Sequence, residues 1–310
     1  MAPDGEFLRP PAHFREFLGS EEGVPPTPIV AGRYHLYVSL ACPWCHRTVI
    51  MRELAGLTDA VPIWFLAPFR DARGWAFSGE HFDDGPGGDF VDGLNGWAFL
   101  SEAYTTTDPG YRGGWTVPVL WDAHERRIVN NESSEIARMM CSSGSLGGLG
   151  PHELDLVPRE QLDELERVNA RVYEKVNNGV YKAGFARSQR AYDRAVLALF
   201  ETLDWLEDRL SRQRYLLGAR ITEADWRLFT TLLRFDEVYH LQFRCNRRRL
   251  VDYPGMWGYA RDLYQVPGVA RTVAMDQIKR HYYTTHDELN PKRIIPIGPG
   301  YDWSEAHGRG

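Results

Sequence analysis

A chain of 310 residues, 43% hydrophobic and 25% charged, has the make-up of a folded protein of two domains and is too apolar for wholesale disorder. Its net charge of -6 carries no basic face: residues 1–150 hold 11 arginines against 19 acids, and all 32 arginines are interleaved with acids, which excludes a nucleic-acid binder. No run of about 18 apolar residues and no signal-like start is present, so the expected place is the cytoplasm, with no membrane partner, where four cysteines stay thiols and serve packing or chemistry.

Residues 1–31 are rich in Pro, Gly and charge and read as an irregular arm with a short helical piece around Phe14 and Phe17. Residues 35–40 are β-branched and aromatic enough for a strand; residues 45–55 predict a helix that Gly56 ends, and residues 61–66 predict a second strand. That is one β-α-β unit with a right-handed crossover and a partly parallel sheet. From 67 to 111 no period of 2 or 3.6 persists, but Trp75, Phe77, Phe82, Phe90 and Trp97 predict an ordered loop. Residues 116–121 and 126–130 predict a hairpin, and Asn131-Glu132-Ser133-Ser134-Glu135 opens a helix that runs to about Cys141.

Beyond a Gly-containing connector everything reads helical. Residues 192–211 place Val196, Leu199, Phe200, Leu203, Leu206 and Leu210 on one stripe, and Thr222-Glu223-Ala224-Asp225 is a capping box before another apolar run. The expected organisation is an arm (1–31), an α/β domain (32–143), a linker (144–158), an all-helical domain (159–300) and a tail (301–310).

Chemistry concentrates at Ala41-Cys42-Pro43-Trp44-Cys45. A cysteine just before a helix faces unpaired amides and the positive end of the helix dipole, both of which favour its thiolate, and Pro43 suits the first helical turn. C-x-x-C after a strand and opening a helix is a redox signal, with Cys42 as nucleophile and Cys45 one turn further in. Cys141 and Cys245 stand singly in apolar helical contexts and read as packing, which leaves too few ligands for zinc; no metal is expected. Thr116-Val117-Pro118, a proline just before a strand, is a candidate cis peptide at which Val117 presents its backbone to an extended ligand; a trans proline at a strand edge is the plain alternative. Glu132 and Ser133 either hold the ends of that ligand at a helix start or merely cap the helix.

At these residues the chain resembles the glutathionyl-hydroquinone reductases, the Xi class of glutathione transferases. The resemblance rests on Ser39-Leu40-Ala41-Cys42-Pro43-Trp44, Gly74-Trp75-Ala76-Phe77, Thr116-Val117-Pro118-Val119-Leu120-Trp121-Asp122 and Asn131-Glu132-Ser133-Ser134-Glu135-Ile136. In the helical half it rests on Val176-Asn177-Asn178-Gly179-Val180-Tyr181-Lys182-Ala183-Gly184-Phe185-Ala186, Leu233-Arg234-Phe235-Asp236, Val238-Tyr239, Ile278-Lys279-Arg280-His281-Tyr282-Tyr283 and Asn290-Pro291. It implies a thioredoxin-like N-terminal domain followed by a glutathione-transferase-type helical domain, a homodimer, and glutathione as co-substrate. It also implies that Cys42 attacks the sulfur of a glutathionyl-hydroquinone. Trp75, Val117, Pro118, Glu132 and Ser133 would hold the glutathionyl part, and Tyr181, Tyr239 and Tyr282 or Tyr283 would line the quinone pocket and deliver or orient a proton.

One departure stands out: members of that family commonly carry alanine where this chain has Cys45. A second thiol there would resolve a mixed disulfide internally and leave the choice of small thiol open. Two rival readings follow: a glutaredoxin-like dithiol oxidoreductase or other thiol transferase, such as a dehalogenating one, using Cys42 and Cys45 with another low-molecular-weight thiol, and a non-catalytic protein on a transferase scaffold.

Overall fold

The computed structural model describes residues 1–19, 28–78 and 90–309. Strand β1 (Tyr34–Val38) is buried along its whole length, as suits aromatic and branched side chains covered on both faces. Helix α1 (Pro43–Leu54) follows and stops where Gly56 takes up φ 67°. The Gly56 amide reaches the Glu53 carbonyl at 3.1 Å and the Leu57 amide reaches that of Arg52 at 2.9 Å, the paired closure a left-handed glycine allows. Strand β2 (Ile63–Phe65) lies parallel to β1 with Leu36 opposite Ile63, which completes the expected β-α-β unit.

Two short strands, β3 (Arg70–Asp71) and β4 (Gly74–Trp75), make a small hairpin, and helix α2 (Ser101–Thr107) comes next. Both fall inside the stretch read as one loop. Its order comes from packing and from one carboxylate. Asp92 accepts from the Tyr37 hydroxyl at 3.1 Å and from the amides of Leu94, Asn95 and Trp97, while Trp97 packs edge-on against Trp121. Phe82 lies outside the described residues.

Strands β5 (Val119–Asp122) and β6 (Arg127–Asn130) form the antiparallel hairpin, giving a four-stranded sheet in the order β2-β1-β5-β6. Helix α3 (Ser133–Cys141) packs against α1. The stretch around Phe14 to Phe17 is extended, not helical. Arg15 bridges Asn130 and the Glu16 amide donates to the Val129 carbonyl at 3.1 Å, so this segment covers the edge of β6 that would otherwise be left open.

The helical unit contains α4 (Leu162–Val172), α5 (Gly179–Gly184), α6 (Gln189–Arg212), α7 (Glu223–Leu232) and α8 (Pro254–Tyr264). The predicted stripe of α6 is buried throughout. Thr222 caps α7, with its amide bonded to the Asp225 carboxylate at 2.7 Å. Single π-helical turns occur at Tyr173–Asn177 and Phe235–Tyr239.

The chain divides into a unit of Pro11–Leu154 with Arg271–Ile295 and a unit of Met1–Pro10, Asp155–Ala270 and Pro296–Gly310. This differs from the expected boundaries at three places, each with a visible cause. Helix α9 (Met275–Thr285) belongs with the sheet. His46 on α1 bonds Thr272 at 2.9 Å, Arg271 pairs with Glu53, and His281 bonds the Pro68 carbonyl at 2.7 Å. Residues 1–10 belong with the helices, because Arg187 donates to the Gly5 carbonyl, Lys182 pairs with Glu6, and Phe7 packs on Phe185. Arg309 in the tail donates to the carbonyls of Leu210, Gln213 and Arg214 at the end of α6.

Candidate active site

Cys42 is the N-cap residue of α1, with extended backbone (φ -79°, ψ 124°), and its carbonyl accepts the His46 amide at 3.0 Å. The strand-to-helix turn therefore delivers its sulfur to the end of the helix where amide hydrogens point outward. The residue is 7% exposed, whereas Cys45, the third residue of the helix, is fully buried. Arg47 lies over the Trp44 ring at 4.7 Å, so the tryptophan between the cysteines is held in place.

The Val117–Pro118 peptide is cis, and the Val117 carbonyl oxygen lies 3.9 Å from Cys42 Sγ. Thus two predicted residues separated by 75 positions meet. The segment before Val117 is clamped. The Tyr104 hydroxyl donates to the Thr116 carbonyl at 2.7 Å, and Asn131 Nδ2 donates to the Tyr104 oxygen and to Thr116 Oγ1, each at 3.1 Å. Burial pushes the Tyr104 phenol up to about 12, so it remains a neutral donor at every physiological pH.

Glu132 caps α3 itself: Oε1 accepts from the Ser134 amide at 3.0 Å and from Ser134 Oγ at 2.9 Å. Of the two readings weighed for this residue, capping is observed. Ser133 begins the helix and is buried. Trp75, at the end of β4, is buried with its indole stacked on His281 of α9, ring centres 4.9 Å apart and planes 23° apart. A carbonyl can only accept, so the 2.7 Å contact with Pro68 places a proton on His281 Nδ1.

Tyr282 and Tyr283 follow His281 on α9 and are both buried. Tyr181 and Tyr239 belong to the helical unit, where their rings lie 6.0 Å apart and both pack on Phe243. A side chain on Gly184 would run into the Phe243 ring, with a Cβ only 2.4 Å from it, which explains the glycine three residues after Tyr181. Arg9 sits over the Tyr181 ring at 4.6 Å and donates to Asn178 Oδ1 at 2.9 Å.

Three features escaped sequence reasoning: His281 stacked on Trp75 and the Tyr104–Asn131 clamp in the sheet unit, and, in the helical unit by itself, Arg9 over Tyr181. Only His281 had a signal, its place beside the two tyrosines. Of the remaining cysteines, Cys245 is fully buried with its thiol pushed up by that burial, and Cys141 lies 3.4 Å from the Met51 sulfur.

A cysteine at the start of the first sheet helix, facing the residue before a cis proline, in a chain that also carries an all-helical unit, defines a glutathione transferase. Residues 41–143 match the glutathione S-transferase N-terminal domain family and residues 189–262 match its C-terminal domain family. Glutathionyl-hydroquinone reductase YqjG of Escherichia coli is 46% identical over 98% of this chain and 92% of its own. The glutathione-bound structure of YqjG superposes with a TM-score of 0.89, covering 96% of each chain, and a Xi class transferase from Natrialba magadii gives 0.90 at 44% identity, covering 96% of this chain and 88% of its own. The chain belongs to the glutathionyl-hydroquinone reductases, the Xi class of glutathione transferases.

Proposed function

We propose that this protein is a thiol-dependent reductase that removes the glutathionyl group from glutathionyl-hydroquinones through a mixed disulfide on Cys42. The observation that carries the reading is the Cys42 sulfur at the start of α1, 3.9 Å from the Val117 carbonyl. There the helix dipole favours negative charge on sulfur, and the Val117 backbone offers an edge to a peptide-like ligand. Relatives that bear this activity in their names support the substrate class.

In the first half-reaction the Cys42 thiolate attacks the glutathionyl sulfur. The aryl carbon–sulfur bond breaks, its electron pair stays on the ring carbon, and that carbon takes a proton to give the hydroquinone. A small thiol then attacks the glutathionyl sulfur of that mixed disulfide, Cys42 leaves as the thiolate, and the products are a disulfide between the incoming thiol and glutathione and the free enzyme. Glutathione is the co-substrate in this reading. Trp75, Val117, Pro118, Glu132 and Ser133 hold the glutathionyl part. Tyr181, Tyr239, Tyr282 and Tyr283 supply the hydroxyls that orient or deliver the ring proton, a service worth about a hundredfold or more in rate.

We further infer a homodimer working in the cytoplasm, where the thiol pool stays reduced. Among the described residues no helix is long and apolar enough to cross a membrane.

The deciding experiment is hydroquinone release from a glutathionyl-benzohydroquinone by Cys42→Ser. Loss of turnover by about a thousandfold or more is expected for a nucleophile. Full activity in that variant removes the assignment.

A further inference from the structure

The mechanism above leaves Cys45 without a task, although it is a nucleophile placed within a turn of the reacting sulfur. An N-cap side chain points back over the second and third residues of its helix, which is how serine and aspartate caps reach those amides. Here the N-cap residue is Cys42, whose side chain makes no cap hydrogen bond, and the third residue is Cys45. The turn is regular from its first bond, Cys42 carbonyl to His46 amide at 3.0 Å, and it is tightened by the Thr48 hydroxyl on the Cys45 carbonyl at 2.7 Å. Side chains three apart on a helix sit about 5–6 Å apart at Cβ. A disulfide needs about 3.5–4.5 Å, so the proposed step requires the non-helical N-cap residue to close on the third residue by about 1–2 Å.

Accessibility separates the two roles. Cys42 keeps 7% of its surface, whereas Cys45 keeps none, so an outside thiol has a shorter way to Cys42 than to Cys45.

We propose that Cys45 is a resolving thiol, and that this chain is a dithiol reductase whose glutathionyl intermediate is cleared from within. The inference rests on the reading of Cys42 given above. In the step, the Cys45 thiolate attacks Cys42 Sγ of the mixed disulfide. The Cys42–Cys45 bond forms, the Cys42–glutathione bond breaks, and glutathione leaves as a thiolate that takes up the proton Cys45 gave. Two equivalents of a low-molecular-weight thiol, or one dithiol, then reduce the internal disulfide by attack at Cys42, and are themselves oxidised to a disulfide. Because no glutathionyl group remains at that stage, the final reductant is selected only by access to Cys42. The same two sulfurs would reduce glutathione disulfide.

The test uses the whole chain, reduced and freed of thiol, mixed with one equivalent of glutathione disulfide, quenched with an alkylating agent and weighed intact. The parent enzyme is expected to lack the alkyl groups that Cys42 and Cys45 take up in the fully reduced chain, with the two cysteines linked in its peptide map. Cys45→Ala is expected to end heavier by one glutathionyl group on Cys42, with release slowed by about a hundredfold or more once the neighbouring thiol is gone. Cys45→Ser repeats the measurement with a near-isosteric side chain that cannot exchange. A glutathionyl adduct equally long-lived in the parent and in Cys45→Ser overturns the proposal. A parallel incubation with glutathionyl-benzohydroquinone keeps the two readings apart. No hydroquinone from a parent enzyme that still links its two cysteines defeats the substrate assignment and leaves the resolving role standing.

Discussion

Trp75 and His281, more than two hundred residues apart in the chain, stack ring on ring at 4.9 Å. The imidazole is fixed from behind by the Pro68 carbonyl, so it forms a rigid backing for the indole proposed to hold the glutathionyl part. Aromatic pairs are worth about 0.5–1.5 kcal/mol beyond burial, up to about tenfold in binding. His281→Ala is therefore expected to raise KM for the glutathionyl substrate by about tenfold with kcat little changed, and His281→Phe, which keeps the stack but loses the bond to Pro68, to fall between. Steady-state kinetics with tryptophan fluorescence check this. An unchanged KM in His281→Ala separates the histidine from the site.

Glu132 does two jobs in the proposed reading, and two substitutions separate them. Its Oε1 accepts the Ser134 amide, an N-cap bond whose loss costs about 1 kcal/mol, or about 1–2 °C in Tm for a chain of this size. Glu132→Gln keeps an acceptor for that amide and removes the charge. The expected result is an unchanged Tm with a raised KM for Glu132→Gln, and a fall in both stability and affinity for Glu132→Ala. If KM is unmoved in both, Glu132 is a cap and nothing more.

The local features were legible and the distant pairings were not. The Cys42 turn, the Gly56 stop and the Thr222 capping box were readable because each is written within a few consecutive residues. The helix expected near Phe14 failed because that segment's backbone bonds go to β6, which lies more than a hundred residues later. Nothing in the composition of residues 271–295 distinguishes them from their helical neighbours. Their allegiance to the sheet is decided by His46, Glu53 and the Pro68 carbonyl. The loop around Asp92 looked aperiodic because a single carboxylate organises it, a device with no period.

Asp225 anchors the helical unit from complete burial. Its Oδ1 accepts from the Leu216 amide and the Tyr259 hydroxyl, each at 2.9 Å, and its Oδ2 accepts from the Thr222 amide at 2.7 Å and the Thr222 hydroxyl at 3.0 Å. Burial raises its carboxyl above the usual range, against the pull of those same bonds. Truncation to alanine strands several buried donors, each costing about 1–3 kcal/mol. Asp225→Ala is expected to lose about 3 kcal/mol or more in urea unfolding, and Asp225→Asn, which keeps one acceptor oxygen, to lose less. Equal stability of Asp225→Ala and the parent contradicts this account.

His286, at the end of α9, gives the sheet unit an acid-sensitive point. Burial, with the nearby Arg70 charge adding to it, holds its imidazole down at about 4 against an ordinary 6.5. The unfolded chain therefore takes up a proton near pH 6.5 that the folded chain refuses until near pH 4. Stability from this residue is complete above pH 6.5 and declines as pH falls through that window, by about 3 kcal/mol in total at about 1.4 kcal/mol per pH unit. His286→Gln, which does not titrate, is expected to lose less stability than the parent between pH 7 and pH 4.5, as read from urea midpoints. Carboxylates that titrate in the same range act on both proteins and cancel in the difference. Midpoints that fall in parallel for parent and variant would show that the folded chain protonates His286 as readily as the unfolded one.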